Sequence, residues 1–191
     1  PQQLMAAERE IIEEAYAGDI IGVFDPGLFS IGDTLCAPGK KFKFDPIPTF
    51  APEHFESCRS RDTMKRKQFL KGMEQIAQEG AIQIFKTPYT GMEEVIVGVV
   101  GTLQFDVLEY RLKNEYNVEL YMEGLPYEYL RWITTDDGEP VKEEDLILGT
   151  DVKLVEDYKG NQLLLFASQW SINWTAERNK NLTLLEFGGG M

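Results

Sequence analysis

The chain has 191 residues, 43% of them hydrophobic and 27% charged, which suits a globular protein with a substantial core in one or two domains. A net charge of −13 excludes a protein that coats nucleic acid over its whole surface, because phosphate binding relies on clustered Lys and Arg. No apolar run approaches the ~20 residues that span a bilayer, and Pro1-Gln2-Gln3-Leu4 lacks the basic start and apolar stretch of a signal peptide, so neither membrane nor DNA is expected as a partner.

Residues 1–48 carry strand patterns at Glu8–Glu14, Asp19–Phe24 and around Thr34-Leu35. Asp25-Pro26-Gly27 and Gly32-Asp33 supply turn chemistry between them. These strands are too few to close a barrel, so the segment reads as the C-terminal part of a β-barrel. Two prolines in Asp45-Pro46-Ile47-Pro48 mark the boundary, and a chain opening on Pro1 reads as a piece of a longer protein.

Residues 49–191 read as an α+β domain. Thr49–Glu53 is the expected first strand. Asp62–Glu79 places Phe69, Leu70, Met73, Ile76 and Ala77 on one face of a helix. Ala81–Phe85 and Glu94–Val100 are strands separated by the turn residues 87–91. A second helix starts at Thr102, a candidate N-cap, and aligns Phe105, Leu108, Leu112 and Tyr116. Asn117 suits a left-handed stop, after which Val118, Leu120 and Met122 alternate as a strand. The order βαββαβ over residues 49–123 is the ferredoxin-like unit, an architecture that leaves function open.

An α/β extension follows over residues 124–187. It contains a strand at Tyr127–Ile133 and a hairpin of Asp151–Glu156 with Gln162–Ala167 about Lys159-Gly160-Asn161. Ser168 is placed to N-cap a helix that carries Trp170 and Trp174, read as the face anchored on the sheet, and Thr183–Phe187 is a final strand.

Several residues invite a chemical role. His54 and Cys58 lie four apart, but no third group orients them as a nucleophilic pair, and two residues cannot complete a structural zinc site. The acidic residues Glu8, Glu10, Glu13 and Glu14 and the loop at 136–139 lack calcium-binding spacing and read as solvated surface. Tyr127, Tyr129 and Trp132 could stack bases, yet an alternating strand sends the tyrosines to one face and the tryptophan to the other, which favours packing. Lys65, Arg66, Lys67 and Lys71 gather within two helical turns, with Lys67 and Lys71 turned away from the apolar stripe, and are the interaction candidates. Lys40, Lys41 and Lys43 form a second cluster. No Gly-x-x-x-x-Gly-Lys-Ser/Thr loop occurs, and Asn179-Lys180-Asn181 lacks the Asp of a guanine-recognition motif, so neither a catalytic residue nor a cofactor is assigned. Cys36 and Cys58 are too few for a disulfide framework, which favours a reducing cytoplasm.

Two long strings, MKRKQFLKGMEQIAQEGAIQIF (64–85) and EEVIVGVVGTLQFDVLEYRLKNEYNVEL (93–120), closely resemble the third domain of bacterial peptide chain release factor 3, a translational GTPase family. GDIIGVFDPGLFSIGDTL and IPTFAPEHF resemble the end of that family's second-domain barrel and its entry into the third, and LPYEYLRWI and SQWSINWTAERN its C-terminal extension. The resemblance covers nearly the whole chain. It implies a cytoplasmic parent that uses GTP and Mg²⁺ in a separate domain and promotes dissociation and recycling of class I release factors. The residues here would form its non-catalytic ribosome-docking and coupling region, with the small ribosomal subunit, the class I factors and the GTP-binding domain as partners. The rival readings are a ferredoxin-like ligand- or protein-binding module unrelated to translation, and a relative of elongation factor G or of ribosome-protection proteins, with which it shares Gly98, Gly101 and Leu103 of a Gly-x-x-Gly-x-Leu pattern.

Overall fold

The computed structural model describes residues 2–5, 8–11, 14–24, 28–29, 32–44, 50–88, 94–135 and 138–186. Two compact units divide the chain, residues 1–44 and 45–191.

In the first unit β1 (Gln2–Met5) pairs antiparallel with β2 (Glu8–Ile11), with Gln2 opposite Ile11 and Met5 opposite Glu8. The strand expected at Asp19–Phe24 is absent apart from an isolated bridge at Gly22, and Thr34-Leu35 is loop. Alternation alone does not make a strand without a ladder partner, and Ile20 and Phe24 are 89% and 90% exposed. The boundary prolines Pro46 and Pro48 and the turn Asp25-Pro26-Gly27 lie outside the described residues.

In the second unit the first strand is not Thr49–Glu53 but β3 (His54–Ser60). Pro52 cannot donate to a ladder, and its ring packs instead over Gly98, where an added Cβ would lie 2.7 Å from Pro52 Cγ. The Asp62 carboxylate accepts from Met64 N at 2.9 Å and starts a short 3₁₀ turn at Thr63–Lys65. That turn runs into α1 (Arg66–Gln78), which buries Phe69, Gly72, Met73 and Ile76. β4 (Gln83–Lys86) and β5 (Val95–Val99) follow.

α2 (Leu103–Tyr116) buries the expected Phe105, Leu108 and Leu112. Thr102 is not its side-chain cap. The Gln104 carboxamide instead ties down the turn that leads into the helix, accepting from Val100 N and Gly101 N at 3.0 and 3.1 Å and donating to Ala81 O at 2.7 Å. Asn117 is left-handed (φ 55, ψ 41), and Val118 N closes the helix on Leu112 O. α1 lies so near α2 that a Cβ on Gly72 would collide with Leu112.

β6 (Leu120–Leu125) completes the βαββαβ unit, and β6-β3-β5-β4 are adjacent and antiparallel, the ferredoxin-like order. The extension adds β7 (Tyr129–Thr135), β8 (Val152–Asp157), β9 (Gln162–Phe166), α3 (Gln169–Arg178) and β10 (Leu182–Leu185). Ser168 caps α3 in a reciprocal capping box with Ser171. The β8–β9 turn is built on Asp157 Oδ1, which accepts from Lys159 N and Asn161 N, and on Gly160 at φ 86.

β8 joins the free edge of β4, so among the described residues one sheet runs β10-β7-β9-β8-β4-β5-β3-β6. β6 and β7 are six strand spacings apart in that order, ~29 Å in a flat sheet. Only residues 126–128 link them, a reach of ~14 Å. The sheet therefore curls. Its inner face holds Phe55, Phe85, Ile96, Leu130, Val155, Leu163 and Leu165. Alternate residues point outward, Cys58 and Val97 to α1 and α2, where they share a cluster with Leu108 of α2, and Leu154 and Phe166 to α3, where they share one with Ile172.

Candidate nucleic-acid interface

The end of β3 and the start of α1 form one basic corner. Arg59 pairs in register with Tyr121 of β6, and Arg61 N donates to Glu119 O at 2.9 Å. Arg61 Nε donates to Leu120 O at 2.7 Å, and Lys65 Nζ to Asn117 O at 2.6 Å. Carbonyls of the α2 C-cap residue Asn117 and of Leu120, the first residue of the strand that follows, thus pin two cations at the sheet end. Lys65 is half-buried, while Arg66, Lys67 and Lys71 are exposed. Lys67 and Lys71 sit one turn apart on α1, away from Phe69, Met73 and Ile76, and among the described residues they form no ion pair. Arg59 and Arg61 were not among the sequence candidates, because a strand placed at 49–53 left them in a loop. Lys40, Lys41 and Lys43 are exposed in the first unit.

The other end of β3 borders an open groove of about 850 Å³, with an apolar floor that includes Pro52, Phe55, Phe105 and Leu125. Glu53, Glu56 and Glu128 rim it. Burial, with Asp106 and Glu109 nearby, raises the Glu56 carboxyl above the usual carboxylate value.

His54 and Cys58 both belong to β3, four residues and ~13 Å apart along the strand. Cys58 is fully buried and its thiol is pushed far up, first by burial and then by Glu56 and Glu94, so it is a core residue and not a nucleophile. Among the described residues no group of three His, Cys, Asp or Glu could hold a metal ion.

Two aromatic expectations need correction. Tyr127 precedes β7 and joins the inner cluster with Trp132, whereas Tyr129 packs on the α3 side. Burial and Asp151 raise the Tyr127 phenol. The buried face of α3 is Ser171, Ile172 and Thr175, and Trp170 is 67% exposed. Trp170 stacks on Trp174 at 6.3 Å, and Arg178 lies 5.6 Å from the Trp174 ring, a ladder along the outer face in place of an anchor.

Residues 44–176 match the model of the class II release factor RF3 C-terminal domain, and residues 1–38 match that of elongation factor G domain 2. The chain is 48% identical over 182 residues to peptide chain release factor 3 of Symbiobacterium thermophilum, covering 95% of this chain and 34% of the relative. It is 43% identical to the proteins of the same name from Gloeobacter violaceus, over 96% of this chain and 34% of that one, and Listeria monocytogenes, over 95% and 34%. The chain thus spans about a third of the length of the curated relatives it matches. With 133 consecutive residues inside the release-factor model and several relatives above 40% identity, the chain belongs to the class II release factor family, peptide chain release factor 3.

Proposed function

We propose that this chain is the ribosome-docking and coupling region of a class II release factor, a non-catalytic part of a cytoplasmic GTPase that promotes dissociation and recycling of class I release factors. The basic corner of an otherwise acidic chain is the observation that carries the docking role. Lys67 and Lys71 are oriented outward, and Arg61 and Lys65 are held in place by backbone carbonyls. Such a surface can neutralise a few RNA phosphates of the small subunit without making the whole chain cling to nucleic acid.

GTP and Mg²⁺ would act in the parent's separate nucleotide domain, since the sequence here contains no Gly-x-x-x-x-Gly-Lys-Ser/Thr phosphate loop. The C-terminal part of a β-barrel at 1–48 and the α+β domain at 49–191 would pass the nucleotide state on as a movement between domains. Against a ferredoxin-like module unrelated to translation speaks the match over residues 44–176; against an elongation-factor-G-like protein speaks the same match, which includes the extension beyond β6. No helix among the described residues is long and apolar enough to cross a membrane.

Co-sedimentation with purified small ribosomal subunits tests this reading. The full-length protein should pellet with them in low salt and lose affinity as salt rises. Association that ignores salt, or none at all, would overturn the docking role.

A further inference from the structure

The contact between Arg59 and Tyr121 has no role in the core. The guanidinium carbon lies 4.5 Å from the ring centroid. Strand alternation puts both side chains on the sheet face opposite α1 and α2, the face that holds Phe55 farther along β3. Yet Arg59 is exposed and Tyr121 is 42% exposed. The pair also sits at the rim of the sheet, since β6 pairs with β3 alone among the described residues. From here cations continue around the sheet end through Arg61 and Lys65 to Lys67 and Lys71 on α1.

We propose that this band binds an unpaired stretch of RNA, with Arg61, Lys67 and Lys71 on its phosphates and the Tyr121–Arg59 pair stacked against a base. The inference rests on the docking reading above and names what is docked. Charge complementarity selects the occupant. Six cations (Arg59, Arg61, Lys65, Arg66, Lys67 and Lys71) fall between residues 59 and 71, where the single acid, Asp62, is engaged with Met64 N. Over the whole chain acids outnumber bases 32 to 19. An exposed aromatic ring with a planar guanidinium on it offers a stacking surface for any base, the second component of single-strand binding sites. The band also turns from one sheet face around the strand ends onto a helix, a path that suits a flexible single strand better than a stiff duplex.

The test measures binding of the full-length protein to a fluorescently labelled, unstructured 12-nucleotide RNA and to purified small subunits across a salt series. Tyr121→Leu should weaken both about fivefold or more with the salt slope unchanged, because a stack and not a charge is lost. Tyr121→Phe should bind like the wild type, which shows that the site folds, and Arg59→Lys should weaken binding while keeping the charge. Lys67→Glu with Lys71→Glu should flatten the salt slope by at least about 1.4, the share of two phosphates on a single strand. If Tyr121→Leu and Tyr121→Phe bind alike while the lysine pair still matters for subunits, stacking is refuted and docking survives. If no variant differs from the wild type, both fail. Competition by polyglutamate as strong as by RNA, or no binding to the oligonucleotide, also overturns the inference.

Discussion

At its first residues β3 borders a groove rimmed by Glu53, Glu56 and Glu128, whereas at its last it carries Arg59 and leads into Arg61, Lys65 and α1. Six residues, or ~20 Å of strand, separate an acidic end from a basic one on a shared core. The difference teaches how a chain of net charge −13 can still present a locally cationic surface, as the proposed docking requires. Cations concentrated at one end create a local attraction, and carboxylates at the other oppose binding in the wrong orientation. Both ends depend on the same α2–sheet packing, so a core defect should disturb both, while surface changes should separate them.

The largest effect should come from Leu108, which is fully buried between α2 and the sheet. Leu108→Ala should cost about 2–5 kcal/mol in denaturant unfolding, through lost burial and the cavity left behind. A loss below about 1 kcal/mol would mean that α2 does not hold the two ends together. Next comes Gly98→Ala, whose new methyl group would meet Pro52 and Phe55 at the groove end. Overpacking there should cost about 1–3 kcal/mol, and salt-dependent subunit binding should remain intact because the basic corner lies at the far end. Weakened binding by a folded Gly98→Ala protein would show that the ends are coupled.

Glu56 gives a smaller, pH-dependent signal. Its folded carboxyl is raised by burial and by Asp106 and Glu109, so the folded state holds the proton more tightly than the unfolded one. The resulting penalty is present above the raised folded value and fades as pH falls through it toward the ordinary 4.5 and below. Glu56→Gln should therefore raise the melting midpoint at pH 7, by the equivalent of less than about 0.5 kcal/mol given solvent screening, and have no effect near pH 4. A gap that widens on acidification would contradict the assigned cause. Smallest is Lys113, which lies 3.7 Å from Glu119 with both side chains more than 60% exposed. Lys113→Ala should change unfolding free energy by less than about 0.5 kcal/mol, and a larger loss would mean that this contact is structural.

Legibility in the sequence followed the range of the interactions. α1 and α2 were readable because a 3.6-residue apolar stripe is local, and so was the Asn117 stop. β3 was missed because HFESCRS looks polar. Its Ser57 is buried, and the hydroxyl donates to Glu94, a partner 37 residues away. The single curled sheet was also invisible, since β4 joins β8 through only two residue pairs, Phe85 with Asp157 and Lys86 with Glu156. Trp170 was misplaced by hydrophobicity alone, while Ser171, Ile172 and Thr175 fix the buried face of α3. At the candidate interface the lysines of α1 were legible as a run. Arg59 and Tyr121, 62 residues apart, became neighbours only through the β3–β6 register.

The most direct test of the central claim is the salt dependence of small-subunit binding by the full-length protein carrying Lys67→Glu and Lys71→Glu. Weaker association and a flatter slope of log affinity against log salt are predicted. Wild-type affinity and an unchanged slope in the double variant would contradict the account and make the basic corner an ordinary solvated surface.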